Sequence, residues 1–171
     1  KKKSKELKKG DIVSLTIITE VFQTKGDYIV ESKNRYAQDG YEWFEVELKG
    51  GEPGEKLWLE WEEDDELEVG LNLERLSLKE LGLNPEILEE IDEEGEGAFT
   101  YQGIEYEFDE SGEALFYRNC TGNGISFFYW DFEDEDEEHF VGVEKWGRRE
   151  YEAHVGIYLD ESEVEIYPSW M

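Results

Sequence analysis

Glu60 and Glu144 are the residues of this 171-residue chain whose type and setting most invite chemistry. Each interrupts an apolar run, "KLWLEW" and "FVGVEKW", and two carboxylates perform acid and base work when their surroundings push their pKa values apart. The competing reading has both pointing to solvent or pairing with Lys145, Arg148 or Arg149. A second candidate is the run Glu133, Asp134, Glu135, Asp136, Glu137 and Glu138, closed by His139. Such carboxylate density suits a hard cation. The run lacks the D-x-[DN]-x-[DN]-G spacing and any glycine to fold it round an ion, so a solvated turn is favoured and no metal is expected. Its like charges would discourage edge pairing. Cys120, in "NCTGNG", would need a base to act as a nucleophile, and nothing in the spacing ties it to His139 or His154. "NCT" also matches a glycosylation acceptor, which means little without an export signal. No catalytic residue and no cofactor follow, and the chain leans away from being an enzyme.

The elements that position these residues must come from an acidic but foldable chain. The formal charge of −29 would favour disorder in a chain poor in aromatics, yet 15% of the residues are aromatic and 38% hydrophobic. The acid therefore belongs mostly to the surface, and a nucleic-acid-binding body is excluded because phosphate would be repelled. Six of the 17 basic residues fall within the first nine positions; this head over 1–9 is read as a solvated tail, the alternative being a contact with anionic lipid or nucleic acid. No apolar run approaches the roughly 18 residues of a membrane span, and no apolar stretch follows the basic head as a secretory signal would, so a cytoplasmic protein is expected. One cysteine excludes an internal disulfide.

Strand patterns dominate. "DIVSLTIITEVF" is β-branched, and "DYIVESKNRYA" alternates after a Lys-Gly-Asp turn. In "YEWFEVEL" Trp43, Glu45 and Glu47 share one side, with Phe44, Val46 and Leu48 on the other. In "EKLWLEW" Leu57, Leu59 and Trp61 alternate with Trp58 and Glu60. Between Ser77 and Asp92 the period changes: Ser77 with Glu80, the stop Gly82, and Asn84 followed by Pro85 announce two short helical turns, with Leu78, Leu81, Leu83, Ile87, Leu88 and Ile91 facing a core. Strands are expected again at 98–101, 104–108, 113–118, 125–132, 139–146, 149–158 and 163–167.

The two strand-rich stretches look like copies. An offset of 84 sets "QDGYEWFEVELKGGEPGEKLWLE" over "GNGISFFYWDFEDEDEEHFVGVE" without a gap, matching Phe44 with Phe128, Val46 with Trp130 and Glu60 with Glu144. "ELEVGL" resembles "EYEAHVGI", and Tyr28 with Val30 resembles Tyr106 with Phe108. The expected fold is mainly β: two pseudo-repeated antiparallel meanders packed as a sandwich or partly open barrel. Residues 10–171 form one domain on this reading, with repeats over about 10–76 and 97–167 and a helical linker at 77–92.

"LKKGDIV", "YEWFEVEL", "LWLEWEED" and "FVGVEKWGRREYEAHVG" together carry a family pattern: a Gly-Asp start, a W-x-E-x-x-L strand, a W-L-x-x-E strand and a closing V-E-x-W hairpin. Over most of residues 7–158 the chain resembles the bacterial domain of unknown function 4178. That resemblance supplies no catalytic residues to carry over, and it implies an accessory role near envelope-stress or polyamine-related genes.

The function expected is a non-enzymatic binding or adaptor domain, whose acidic surface at residues 133–138 takes a basic protein segment or a polyamine. One alternative is a small-molecule-binding or catalytic pocket between the repeats, lined by Trp43, Trp58, Trp130 and Trp146 with Glu60 and Glu144 as polar groups. Another is an acidic mimic of nucleic acid. The sequence carries no reading of oligomeric state.

Overall fold

A computed structural model describes residues 7–19, 23–50, 55–62 and 68–168. Its strands are β1 (Ile12–Ile18), β2 (Gln23–Gln38), β3 (Tyr41–Lys49), β4 (Lys56–Glu62), β5 (Glu68–Leu76), β6 (Ala98–Tyr101), β7 (Ile104–Tyr117), β8 (Ile125–Glu133), β9 (His139–Gly147), β10 (Glu150–Leu159) and β11 (Val164–Tyr167). One α-helix, α1 (Pro85–Glu94), accompanies them among the described residues. The protein is mainly β and antiparallel, as its alternating patterns require. The chain divides into two compact units. The first takes the chain up to Leu71 together with Tyr117–Asn123 and the segment from Leu159; the second holds Asn72–Phe116 and Gly124–Tyr158. Strand order in the first is β11-β1-β2-β3-β4-β5, and in the second β5-β10-β9-β8-β7-β6, with β5 passing from one to the other.

Strand pairing confirms the internal copy residue by residue. β3 pairs β4 with Phe44 opposite Trp61, Glu45 opposite Glu60 and Leu48 opposite Leu57. Adding 84 to each number gives Phe128 opposite Lys145, Tyr129 opposite Glu144 and Phe132 opposite Val141, the observed pairing of β8 with β9. The preceding strands agree at an offset of 78: β2 bulges between Val30 and Ser32, and β7 between Phe108 and Glu110. Tyr28 and Tyr106, two residues before Val30 and Phe108, are both buried. The change of offset from 78 to 84 is a six-residue insertion after β7.

Two local expectations fail for the same physical reason. Lys25-Gly26-Asp27 is not a turn but part of β2, with Gly26 opposite Leu15, because pairing with β1 continues to Ile18 opposite Gln23. Residues 104–108 and 113–118 are not separate strands. β7 runs unbroken through Ser111 and Gly112, because β8 supplies partners along that stretch and the bulge absorbs the extra residue. At the other end, the expected basic tail lies outside the described residues up to position 6. Beyond it Leu7 is fully buried and the Lys8 N–H donates to Asp11 Oδ2 at 3.0 Å, so the fold begins inside the lysine-rich stretch.

The core of the second unit sits where aliphatic and aromatic faces of β7, β8 and β9 meet α1. Leu81, Leu83, Leu88 and Ile91 pack with Tyr106, Trp130, Phe132, Val141, Val143 and Ala153. The helical stretch forms as its punctuation dictates: Ser77 and Glu80 exchange capping hydrogen bonds, Asn84 Oδ1 accepts from the Ile87 N–H at 2.8 Å, and Gly95 closes α1 in the left-handed region. α1 is longer than the expected short turn. Replacing Asn84 with Ala should destabilise the protein by about 1 kcal/mol in urea denaturation.

Candidate functional site

Alternation along β2, β3 and β4 gathers a polar and aromatic face in the first unit. Ser32, Asn34 and Tyr36 on β2, Trp43, Glu45 and Glu47 on β3, and Trp58 and Glu60 on β4 share it by register. Glu45 is 6% exposed, and one of its oxygens accepts from the Tyr36 hydroxyl at 3.3 Å and from Asn34 Nδ2 at 3.5 Å. The Tyr36 and Trp43 rings stack 5.3 Å apart and 3° from parallel. Glu47 accepts from Ser32 Oγ at 3.2 Å and Trp58 Nε1 at 3.4 Å, with Lys56 at 3.8 Å. Three of the six aromatic and glutamate residues expected at a ligand site, Trp43, Trp58 and Glu60, therefore lie on one face.

In the second unit the equivalent face carries Glu144 and Trp146 of β9, but not Trp130. Trp130 points to the opposite side, where its ring packs in the core and its Nε1 donates to the Leu88 carbonyl at 2.9 Å. Parity separates them: residue 130 pairs with Val143, and Glu144 pairs with Tyr129. Around Glu144 the registers place two rows on this face, Glu110–Asp131–Gly142–His154 and Gly112–Tyr129–Glu144–Glu152. Phe127 and Trp146 stack at 4.5 Å beside them. Burial pushes the Glu110 carboxyl up and the Asp109 charge adds to this, against a lowering hydrogen bond from Tyr129.

His154 is a residue the sequence did not single out as more than a remote partner for Cys120. Its ring lies over Gly142, where an added Cβ would come within 2.5 Å of Nε2, and edge-on to Phe140 at 6.2 Å. Nδ1 is buried without a hydrogen-bond partner among the described residues. Burial, with the Arg75 charge second, pushes the imidazole down to about 3. Arg75 itself pairs with Glu152 at 3.0 Å. An isolated glycine in an otherwise bulky strand, "FVGVEKW", was the available sign of such a close approach.

The acidic run is a turn joining β8 to β9, and Asp134 organises it. Asp134 Oδ1 accepts the N–H groups of Glu138 and His139 at 2.8 and 3.0 Å, while Oδ2 meets His139 Nδ1 at 2.7 Å. Burial raises this carboxyl, but the hydrogen bonds from the His139 backbone and ring and from Glu138 outweigh it, leaving it below the ordinary carboxylate range. Glu133 lies on β8 and accepts from the Tyr158 hydroxyl at 3.3 Å. Glu135, Asp136, Glu137 and Glu138 are exposed. No group of three metal-binding side chains occurs among the described residues. The Cys120 thiol is directed at the Lys33 carbonyl at 3.6 Å.

Two pH windows follow. Unfolded, His154 takes up a proton below its ordinary value of 6.5, whereas folded it does so only near 3; its contribution is therefore whole above 6.5 and lost progressively on acidification. Going from neutral pH to about pH 4.5 should cost on the order of 2 kcal/mol more in the wild type than in His154→Phe, measured by urea denaturation at both values. Asp134 acts lower, its contribution being lost as the pH falls through its depressed value. At neutral pH Asp134→Ala should destabilise by about 1–2 kcal/mol, whereas neutralising Glu135 and Asp136 should change stability by no more than about 0.5 kcal/mol in the same assay.

No helix among the described residues is long and apolar enough to cross a membrane. No curated protein and no solved structure matches the chain. A family model described as "Domain of unknown function (DUF4178)" matches residues 21–161, a span that contains both repeated hairpins, the α1 linker and the acidic turn. With that match over most of its length, and with the aromatic and glutamate motifs of both hairpins in equivalent register, the chain belongs to the DUF4178 family of domains of unknown function.

Proposed function

We propose that this protein is a non-enzymatic binding domain for a cationic ligand, a polyamine or a basic protein segment, in a bacterial cytoplasm and in an accessory role linked to envelope stress or polyamines. One observation carries the reading: carboxylates stand directly opposite one another across paired strands, Glu45 against Glu60, Glu107 against Glu133, Glu110 against Asp131 and Glu144 against Glu152. Like charges in directly opposed positions destabilise a sheet, and a multivalent cation relieves that repulsion. On the face of the second unit that holds three of these pairs, Tyr129, Phe127 and Trp146 add rings on which an alkylammonium group can rest. The exposed turn Glu135–Glu138 supplies a field that draws cations in.

Calorimetric titration with spermidine tests this. Binding should weaken steeply as sodium chloride is raised, and Glu110→Gln with Asp131→Asn should weaken it by about tenfold or more while making the free protein more stable. Neutralising Glu135–Glu138 should weaken binding only about two- to threefold, through lost steering. Absence of spermidine binding at low salt, or binding indifferent to the Glu110 and Asp131 substitutions, overturns the reading.

A further inference from the structure

On the other side of β2 from Asn34 and Tyr36, the first unit collects donors that so acidic a chain does not lead one to expect. Lys33 and Arg35 project to the same side, opposite Val46 and Phe44 of β3. Phe44 stacks on Trp61 of β4 with centroids 5.7 Å apart. Lys33 Nζ lies over both rings, 4.9 Å from the Phe44 centroid and 5.7 Å from that of Trp61. The Arg35 guanidinium rests on the Tyr117 ring at 3.9 Å, with Glu42 at its margin 3.9 Å away. Tyr117 leads into the six-residue insertion, which belongs to this unit and is tied to β2 by the Asn119 N–H donating to Asn34 Oδ1 at 2.9 Å.

Two features of this corner are not accounted for by packing. Among the described residues Lys33 has no carboxylate within ion-pair distance, in a chain of 46 acidic residues. Trp61 is 1% exposed, yet its Nε1–H has no acceptor among the described residues. A buried donor left without a partner is a standing cost and calls for an explanation. The ammonium over the Trp61 ring and that ring's own N–H are both donors, and an oxygen-rich anion is the kind of group that accepts from such donors. The second repeat lacks the arrangement: the residues equivalent to Lys33, Arg35 and Trp61 are Ser111, Glu113 and Lys145.

We propose that this corner of the first unit binds an oxyanion, a phosphate or carboxylate group, with Lys33 Nζ and Trp61 Nε1–H donating to its oxygens. Arg35 supplies further positive charge, and the Phe44 and Tyr117 rings wall the site. The site is separate in residues and in sign from the cation-binding face proposed above. Because the net charge of −29 repels anions at long range, binding rests on these short-range contacts, and added salt should not weaken it as it weakens a cation.

The test is a two-dimensional ¹H–¹⁵N spectrum of the full chain, in which the tryptophan indoles report individually. Trp61→Phe identifies the Trp61 signal, and through-space contacts to Phe44 identify it independently if that variant does not fold. Millimolar inorganic phosphate, titrated against sodium chloride at constant ionic strength, should move the Trp61 indole N–H downfield, and Lys33→Met should weaken the apparent affinity by about tenfold. A matching response to acetate assigns the site to oxyanions in general, and a response to phosphate alone assigns it to phosphate groups. A Trp61 signal unmoved by either anion, or moved equally in Lys33→Met, overturns the proposal.

Discussion

Seven residue pairs lock β3 to β4, from Trp43 opposite Glu62 to Lys49 opposite Lys56, and each pair fixes the side of the sheet its two side chains take. With Val46, Leu48, Leu57 and Leu59 all no more than 4% exposed, a slip of one residue would put Glu45, Glu47 and Glu60 in their place. A few buried and unpaired carboxylates would cost more than a domain's whole stability. The same argument holds β8 to β9, where Trp130, Phe132, Val141 and Val143 occupy the corresponding side. Aliphatic packing on one side therefore enforces the charge crowding on the other. The opposed carboxylates are a consequence of register, and their repulsion is carried by the core.

That coupling explains which parts of the sequence were legible. Alternation in "YEWFEVEL" and "EKLWLEW" assigns each residue to a side without knowledge of its partner, so the polar face of the first unit could be read directly. The equivalence of Glu60 with Glu144 was legible too, because the hairpins align without a gap and their registers match. Residue type alone groups Trp130 with them. Its neighbour in number, Tyr129, is the one that shares the face of Glu144, and an odd offset between two residues on paired strands is what residue type cannot supply.

Features that depend on two distant segments stayed hidden. The close approach of His154 to Gly142 exists only because β10 pairs β9 in one register, and Asp134 becomes an acceptor for Glu138 and His139 only once the turn has closed. In the run "EDEDEE" six acids look alike, yet folding makes one of them a structural hub and leaves four to solvent. The unbroken length of β7 was hidden for the same reason. Ser111-Gly112 carries the local signature of a turn, and the long partner strand overrides it.

Net charge is therefore a poor guide to what any one surface presents. Along four successive residues of β2, Lys33 and Arg35 face Phe44 and Trp61 while Asn34 and Tyr36 face Glu45, so a period of two separates a cationic side from an anionic one within a single strand. The copies diverge most freely on this point. Core positions keep their apolar character between repeats, Val46 with Trp130 and Leu57 with Val141, because any polar replacement there would have to be desolvated. Arg35 and Glu113 occupy equivalent places with opposite charge, because each sits where water or a neighbouring ring can still compensate it. The two hairpins are thus scaffolds of the same register with different electrostatic faces, and the difference lies where packing does not dictate the residue.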